Sequence, residues 1–204
     1  LIEEYCRAHG MCAISLRYFN AAGADAGGEV GEAHEPETHL IPNVIRAAID
    51  PSAGPVKVFG NDYETPDGTC IRDYIHVDDL CDAHLLGLDL LTSSTGFRAF
   101  NLGCGKGYSV AEVLAACRVQ CNGKPEAEFV ERRPGDPPSL VASSAAAASA
   151  LGWKPSRGLA DCVATALAYD SRRSVVVLFG GAGLASTTLA DTWELDPVAK
   201  TWRA

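Results

Sequence analysis

Apolar positions in the first 168 residues switch repeatedly between a helical period near 3.6 and the short, continuous runs of buried strands. Residues 1–9 carry the helical spacing, with Gly10 as a stop. The run from Ala13 to Phe19 (AISLRYF) predicts a short strand. Residues 20–37 are rich in glycine and acid and predict a long loop, a length that in a compact domain usually carries function or movement. His39 to Ile49 predict a helix with Leu40, Val44, Ala47 and Ala48 on one face. Val56 to Phe59 predict a strand, and Ile71 to Val77 an extended segment. Asp78 is expected to cap a helix that reaches about Leu91 and buries Leu80, Ala83 and Gly87. Ala99 to Leu102 predict a strand. The S-x-x-E pair Ser109 and Glu112 then predicts a capping box for a helix burying Val110, Val113, Leu114 and Cys117. Ala127 to Val130 read as a strand, and Ser143 to Leu151, closed by Gly152, as a helix, followed by a helix from Asp161 to Ala168. Strands alternating with helices predict an α/β domain.

The pattern changes at residues 168–170. Val175 to Phe179 (VVVLF), Thr192 to Leu195 and a third run from Thr201 are all strand-like, with nothing helical between them. Two units are therefore expected, 1–168 and 169–204.

The length of 204 residues allows one domain plus a fragment. With 47% apolar and 21% charged residues the chain is expected to fold, and no apolar run reaches the roughly 18 residues of a membrane span. The net charge of −9 argues against a nucleic-acid partner but leaves room for an anionic ligand held by local arginines. The chain opens at Leu1 in what reads as the middle of an amphipathic helix, so it is expected to start inside a longer protein. Eight cysteines without a CxxC pair predict free thiols of a reducing cytoplasm, not a zinc ribbon or a disulfide scaffold.

Three segments carry candidate chemistry. Gly103-Cys104-Gly105-Lys106-Gly107 lies between strand and helix but has Tyr108 where a dinucleotide fingerprint wants glycine, and is expected to be a tight turn. His76, Asp78, Asp79, Asp82 and His84 are spaced poorly for one ion and are expected to be structural; no metal site is anticipated. Arg132-Arg133-Pro134-Gly135-Asp136 places two guanidinium groups in a loop, a pattern suited to phosphate.

Taken in order, Leu16-Arg17-Tyr18-Phe19-Asn20-Ala21-Ala22-Gly23-Ala24, His39-Leu40-Ile41-Pro42, Val58-Phe59-Gly60-Asn61-Asp62-Tyr63, Asp67-Gly68-Thr69-Cys70-Ile71-Arg72-Asp73-Tyr74-Ile75-His76-Val77, Asn101-Leu102-Gly103-Cys104-Gly105, Arg132-Arg133-Pro134-Gly135-Asp136-Pro137 and Leu151-Gly152-Trp153 resemble the UDP-glucose 4-epimerase family of extended short-chain dehydrogenase/reductases. The resemblance covers residues 1–168. It implies the carboxyl-terminal part of an NAD-dependent epimerase: an incomplete Rossmann sheet plus a small substrate-binding α/β domain. It also implies the reaction, in which NAD takes hydride from C4 of UDP-glucose or UDP-galactose, the keto sugar turns over, and hydride returns to the other face. The parent would be a cytoplasmic homodimer with no nucleic-acid or membrane partner.

The resemblance further implies residue roles. Tyr18 lies against the nicotinamide end of NAD through its backbone. Asn20 donates to a phosphate or the sugar, and Leu40 with the His39 backbone lines the diphosphate and glucose. Lys57, Val58 and Phe59 contact the uracil, Arg72 and Arg133 clamp the diphosphate, Asp136 accepts from the ribose hydroxyls, and Val110 packs near the nucleoside. Leu140 stands at the position governing N-acetylated sugars, from which no such use is predicted. The family's glycine-rich NAD loop, catalytic Ser/Thr and Tyr-x-x-x-Lys pair have no match in this chain, so no catalytic residue is assigned and the chain alone is expected to be inactive.

The tail resembles one partial kelch repeat: Arg173 leading to Val177-Leu178-Phe179-Gly180-Gly181, then Asp191-Thr192-Trp193 and Trp202. One blade cannot bury its own faces. The junction is expected to join two unrelated pieces. Alternative functions are a kelch-type protein-interaction module or another nucleotide-sugar epimerase or dehydratase.

Overall fold

A computed structural model describes residues 1–26, 34, 36–123, 125–170, 175–178, 193–196 and 201–203. Helix α1 (Ile2–His9) ends on Gly10, whose φ of 63° is the left-handed cap that glycine adopts without penalty. Strand β1 (Ala13–Arg17) runs parallel to β6 (Phe97–Asn101), with Ala13 opposite Phe97. Strand β2 (Asn20–Ala22) pairs in parallel with β5 (Tyr74–His76). Strand β3 (Val56–Phe59) pairs in parallel with β8 (Ala127–Val130). In a fourth set, β4 (Ile71–Arg72) lies between β7 (Tyr108–Ser109), antiparallel, and β9 (Ser139–Leu140), parallel. Helices α2 (Leu40–Ile49), α3 (Val77–Leu91), α4 (Val110–Gln120), α5 (Ala145–Leu151) and α6 (Leu159–Ala166) cover these strands. Parallel pairs joined through helices give the α/β architecture.

Several expectations shift. The loop expected from residue 20 begins with β2. Strand β6 starts two residues before the expected run. The fully buried positions of α2 are Ile41, Val44 and Ile45; of the expected stripe, Val44 is among them and Leu40 and Ala47 pack partly buried against the same cluster. Helix α6 ends at Ala166, and Leu167–Asp170 form strand β10 instead. Strands β10, β11 (Val175–Leu178), β12 (Trp193–Asp196) and β13 (Thr201–Arg203) pair antiparallel in chain order. Arg173, Phe179 to Gly181 and Asp191-Thr192 of the tail motif lie outside the described residues, as does most of 27–35.

Two hydrophobic clusters form the core. One joins α2, β3, α4 and α6 through Val44, Ile45, Val58, Val113, Leu114, Cys117, Cys162 and Val163. The other packs Ile75, Leu80, Ala83, Phe100, Leu102, Ala147 and Trp153 between α3, β6 and α5. All eight cysteines are free. No helix among the described residues is long and apolar enough to cross a membrane.

Candidate functional site

Strand β3 alternates Val56 and Val58 inward, toward α2 and α4, and leaves Lys57 exposed. Where this layer meets β2, β4 and the 133–136 loop, a cavity of about 600 Å³ opens. It is lined by Asn20 of β2, His39 and Leu40 at the start of α2, Lys57, Val58 and Phe59 of β3, Arg72 of β4, Val110 of α4, and Arg133 and Asp136 of the loop. The structure thus brings the ten residues nominated for substrate around one space. It does not bring Tyr18 there: that side chain is 43% exposed past the end of β1, with its ring edge-on to His84 at 6.4 Å. Leu140 is exposed in β9 and does not line the cavity either.

The cavity concentrates positive charge in an acidic chain. Arg46, Lys57, Arg72 and Arg133 line it, against the single carboxylate of Asp136. Arg72 is largely buried and already engaged. Its Nη1 donates to the carbonyls of Ile71 (2.8 Å) and Pro137 (2.9 Å), and its Nη2 to Asp136 Oδ1 (2.9 Å). Arg72 therefore fixes the 136–137 loop against β4, and one Asp136 oxygen is committed to Arg72 before any ligand arrives. Arg133 differs. Its guanidinium carbon sits 3.9 Å from the centre of the Phe59 ring, and among the described residues it has no hydrogen bond or carboxylate partner. A stacked guanidinium with its donors uncommitted is oriented for an anion at small entropic cost. Arg132 turns away, to Asp62 (2.5 Å) and over the Tyr63 ring at 4.2 Å, so the adjacent pair splits into one structural and one cavity arginine.

Much of the surrounding motif is scaffold. Gly60 has φ 86°, and a side chain there would meet the Tyr63 ring and Arg132 Cγ at 2.6 and 2.7 Å. Asp67 Oδ1 accepts from Thr69 N–H (2.9 Å) and Oγ1–H (2.7 Å), and Oδ2 accepts from Ser109, which caps α4. Buried Asp73 accepts from the amides of Cys104 (2.9 Å) and Ala142 (3.0 Å). Gly103 has no side chain because the Asp73 carboxylate and Ala142 occupy that space. The Gly103–Gly107 turn thus already holds an internal carboxylate, and the pyrophosphate of a dinucleotide does not fit it.

The His/Asp cluster is structural in detail. His76, expected to precede a helix capped by Asp78, itself caps α3: its Nδ1 accepts the Asp78 N–H at 3.1 Å. Asp79, 1% exposed, accepts from Ser156 N–H and Oγ–H, Arg157 N–H and Arg157 Nη1. Burial pushes its carboxyl up, and these donors outweigh that and hold it below the usual range.

Residues the sequence reading passed over also line the cavity, among them Asn43 and Arg46 of α2. The signal was present: His39, Asn43 and Arg46 follow each other by four and three, one face of a helix.

Residues 1–103 match the family model "NAD dependent epimerase/dehydratase family". UDP-glucose 4-epimerase of Halalkalibacterium halodurans is 53% identical over 154 residues, 74% of this chain and 46% of that protein. The crystal structure of UDP-glucose 4-epimerase from Brucella ovis in complex with NAD superposes with a TM-score of 0.76 at 45% identity, covering 80% of this chain and 50% of that one. The enzyme from Bifidobacterium longum in complex with NAD+ and UDP gives a TM-score of 0.74 at 36% identity, covering 79% and 48%. The chain spans about half the length of the relatives it matches. With half of its residues matched by the family model and this similarity beyond them, the chain belongs to the NAD dependent epimerase/dehydratase family.

Proposed function

We propose that this chain is the UDP-hexose-binding part of a UDP-glucose 4-epimerase. The observation that carries the reading is the cavity: four cations against one carboxylate, with Arg133 stacked on Phe59 and its donors uncommitted. The diphosphate would lie against Arg133 and Arg72, the uracil along Lys57 to Phe59, and the ribose hydroxyls on Asp136, next to Val110. Asn20 and Leu40 would face the hexose, with the His39 backbone beside the diphosphate. Binding energy from the non-reacting nucleotide then holds C4 in place while leaving the hexose loose enough to turn over. NAD, bound by the complete enzyme, supplies the hydride acceptor and donor at C4. Here Tyr18 is the one residue offered to it, so the chain alone binds UDP-sugar without interconverting it. The parent is read as a cytoplasmic homodimer.

Titrating UDP into the chain by calorimetry tests this. Binding is expected, weakened in Arg133→Ala by ~1.5–3 kcal/mol, about 10- to 150-fold, for a lost charged hydrogen bond. An unchanged affinity in that variant, or no binding at all, rejects the site. Galactose–glucose interconversion by the chain alone rejects the division of labour.

A second reading concerns the tail alone. Among the described residues, strands β10 to β13 pair antiparallel in chain order, the layout of one propeller blade, and with the tail motif this supports a single kelch-type blade.

A further inference from the structure

Ahead of α2, three side chains converge that the substrate reading leaves unused. Each of His34, Glu37 and His39 offers one ligand atom, and these atoms all lie within 4.8 Å of one another. The two imidazole rings meet edge to face with centres 4.6 Å apart. Glu37 is the unusual member. Its side chain is only 4% exposed, yet just one of its oxygens is satisfied: Oε1 accepts from His39 N–H at 2.7 Å and is paired with His39 Nδ1 at 2.9 Å. The other oxygen, Oε2, is buried with no hydrogen-bond partner. A buried carboxylate oxygen without a donor is costly to keep, and native structures usually satisfy it or load it with an ion.

We propose that His34, Glu37 and His39 bind a divalent first-row transition cation. Two imidazole nitrogens and one carboxylate oxygen form a donor set suited to zinc, cobalt or nickel, and poorly suited to magnesium or calcium, which prefer all-oxygen sites. Tetrahedral zinc with bonds of roughly 2.0–2.1 Å sets its ligand atoms about 3.3 Å apart, so small side-chain rotations close the observed spacing. The ion would take up Glu37 Oε2 and leave one coordination position open. His39 also lines the cavity, which puts the ion on the cavity rim. Asn43 Nδ2 donates to the carbonyls of Glu37 (3.3 Å) and His39 (2.8 Å), so the segment is already tied to α2 and the site is partly organised without metal.

The probe is Co²⁺ titrated into the 204-residue chain without nucleotide, which keeps the outcome separate from the UDP reading. The expected result is one equivalent bound, with visible d–d absorbance and no thiolate charge-transfer band, since the chain also carries eight free cysteines. Glu37→Gln should weaken binding at least tenfold. His34→Ala, at an exposed position, should do the same without disturbing the fold, as read by circular dichroism. Absence of Co²⁺ binding, a thiolate spectrum, or affinity unchanged in folded His34→Ala overturns the site.

Discussion

His76 is held neutral by its surroundings. It is fully buried, its Nδ1 accepts the Asp78 amide, and its Nε2–H is therefore the donor to Thr165 Oγ1 at 2.8 Å. That hydroxyl also accepts from Ala24 N–H and donates to the Asp161 carbonyl, so every polar atom in the cluster is used. Burial lowers the pKa of His76, opposed by Asp78, with Arg157 adding to the decrease. The folded chain then releases this proton more readily than the unfolded one, whose imidazole titrates near ~6.5. Below that value the unfolded state binds more protons, so stability falls as pH drops through the window beneath ~6.5. Thermal melts between pH 8 and 5 should show this decline, and His76→Gln should flatten it. An equally steep decline in the variant would assign the dependence to other groups. The sequence identified the cluster as structural but chose Asp78 as the cap. Its usual preference for such positions favours Asp, and only the hydroxyl arriving from α6, 89 residues away, makes histidine the better choice.

At the level of elements, periodicity was legible and pairing was not. Helices α2, α3, α4 and α5 follow from their apolar spacing and caps, because these signals are local. The capping box at Ser109 and Glu112 forms as its spacing implies, with Ser109 Oγ accepting the Glu112 N–H at 3.0 Å and Glu112 Oε2 accepting the Ser109 N–H at 2.8 Å. Ser109 also donates to Asp67, tying α4 to the turn that leads into β4. Ser109→Ala should therefore cost about 1–2 kcal/mol, at the upper end for a lost cap, measured by urea unfolding at unchanged m-value. A loss well below that would mean the Asp67 contact contributes little. Strands of two or three residues, β2, β4, β7 and β9, carry no period to detect and exist because distant partners pair with them. The site shows the same division. Arg72, Arg133 and β3 were nominated from motifs, whereas Asn43 and Arg46, spaced from His39 along one face of α2, belong to no motif and join the site because α2 lies against β3.

Across the whole molecule, both hydrophobic clusters are built from residues of the α/β part, up to Leu159, Cys162, Val163 and Ala166 of α6. Deleting residues 170–204 should leave the melting temperature within a few degrees and raise soluble yield, because an uncharged β-prone run such as Val175–Leu178 promotes association when its faces are uncovered. Equal or poorer yield from the shortened chain would count against two independent units. The cysteines report the same compactness. Burial pushes the thiols of Cys117 and Cys162 up to about 12 and that of Cys104 to about 11, while Cys12 and Cys81 are exposed. A thiol reagent at pH 8 should modify Cys12 and Cys81 first and reach Cys117 and Cys162 only on unfolding. The parallel strand pairs carry one more consequence, for how fast the chain folds. Ala13 meets Phe97, Asn20 meets Tyr74, and Val56 meets Ala127, each across more than 50 residues. Long loops must close before any of these contacts is gained, and the first core cluster waits for Leu159, Cys162 and Val163 of α6 to arrive. Refolding should accordingly take roughly milliseconds to seconds, an interval in which the sticky tail strands stand ready while the core that would compete with them is still open.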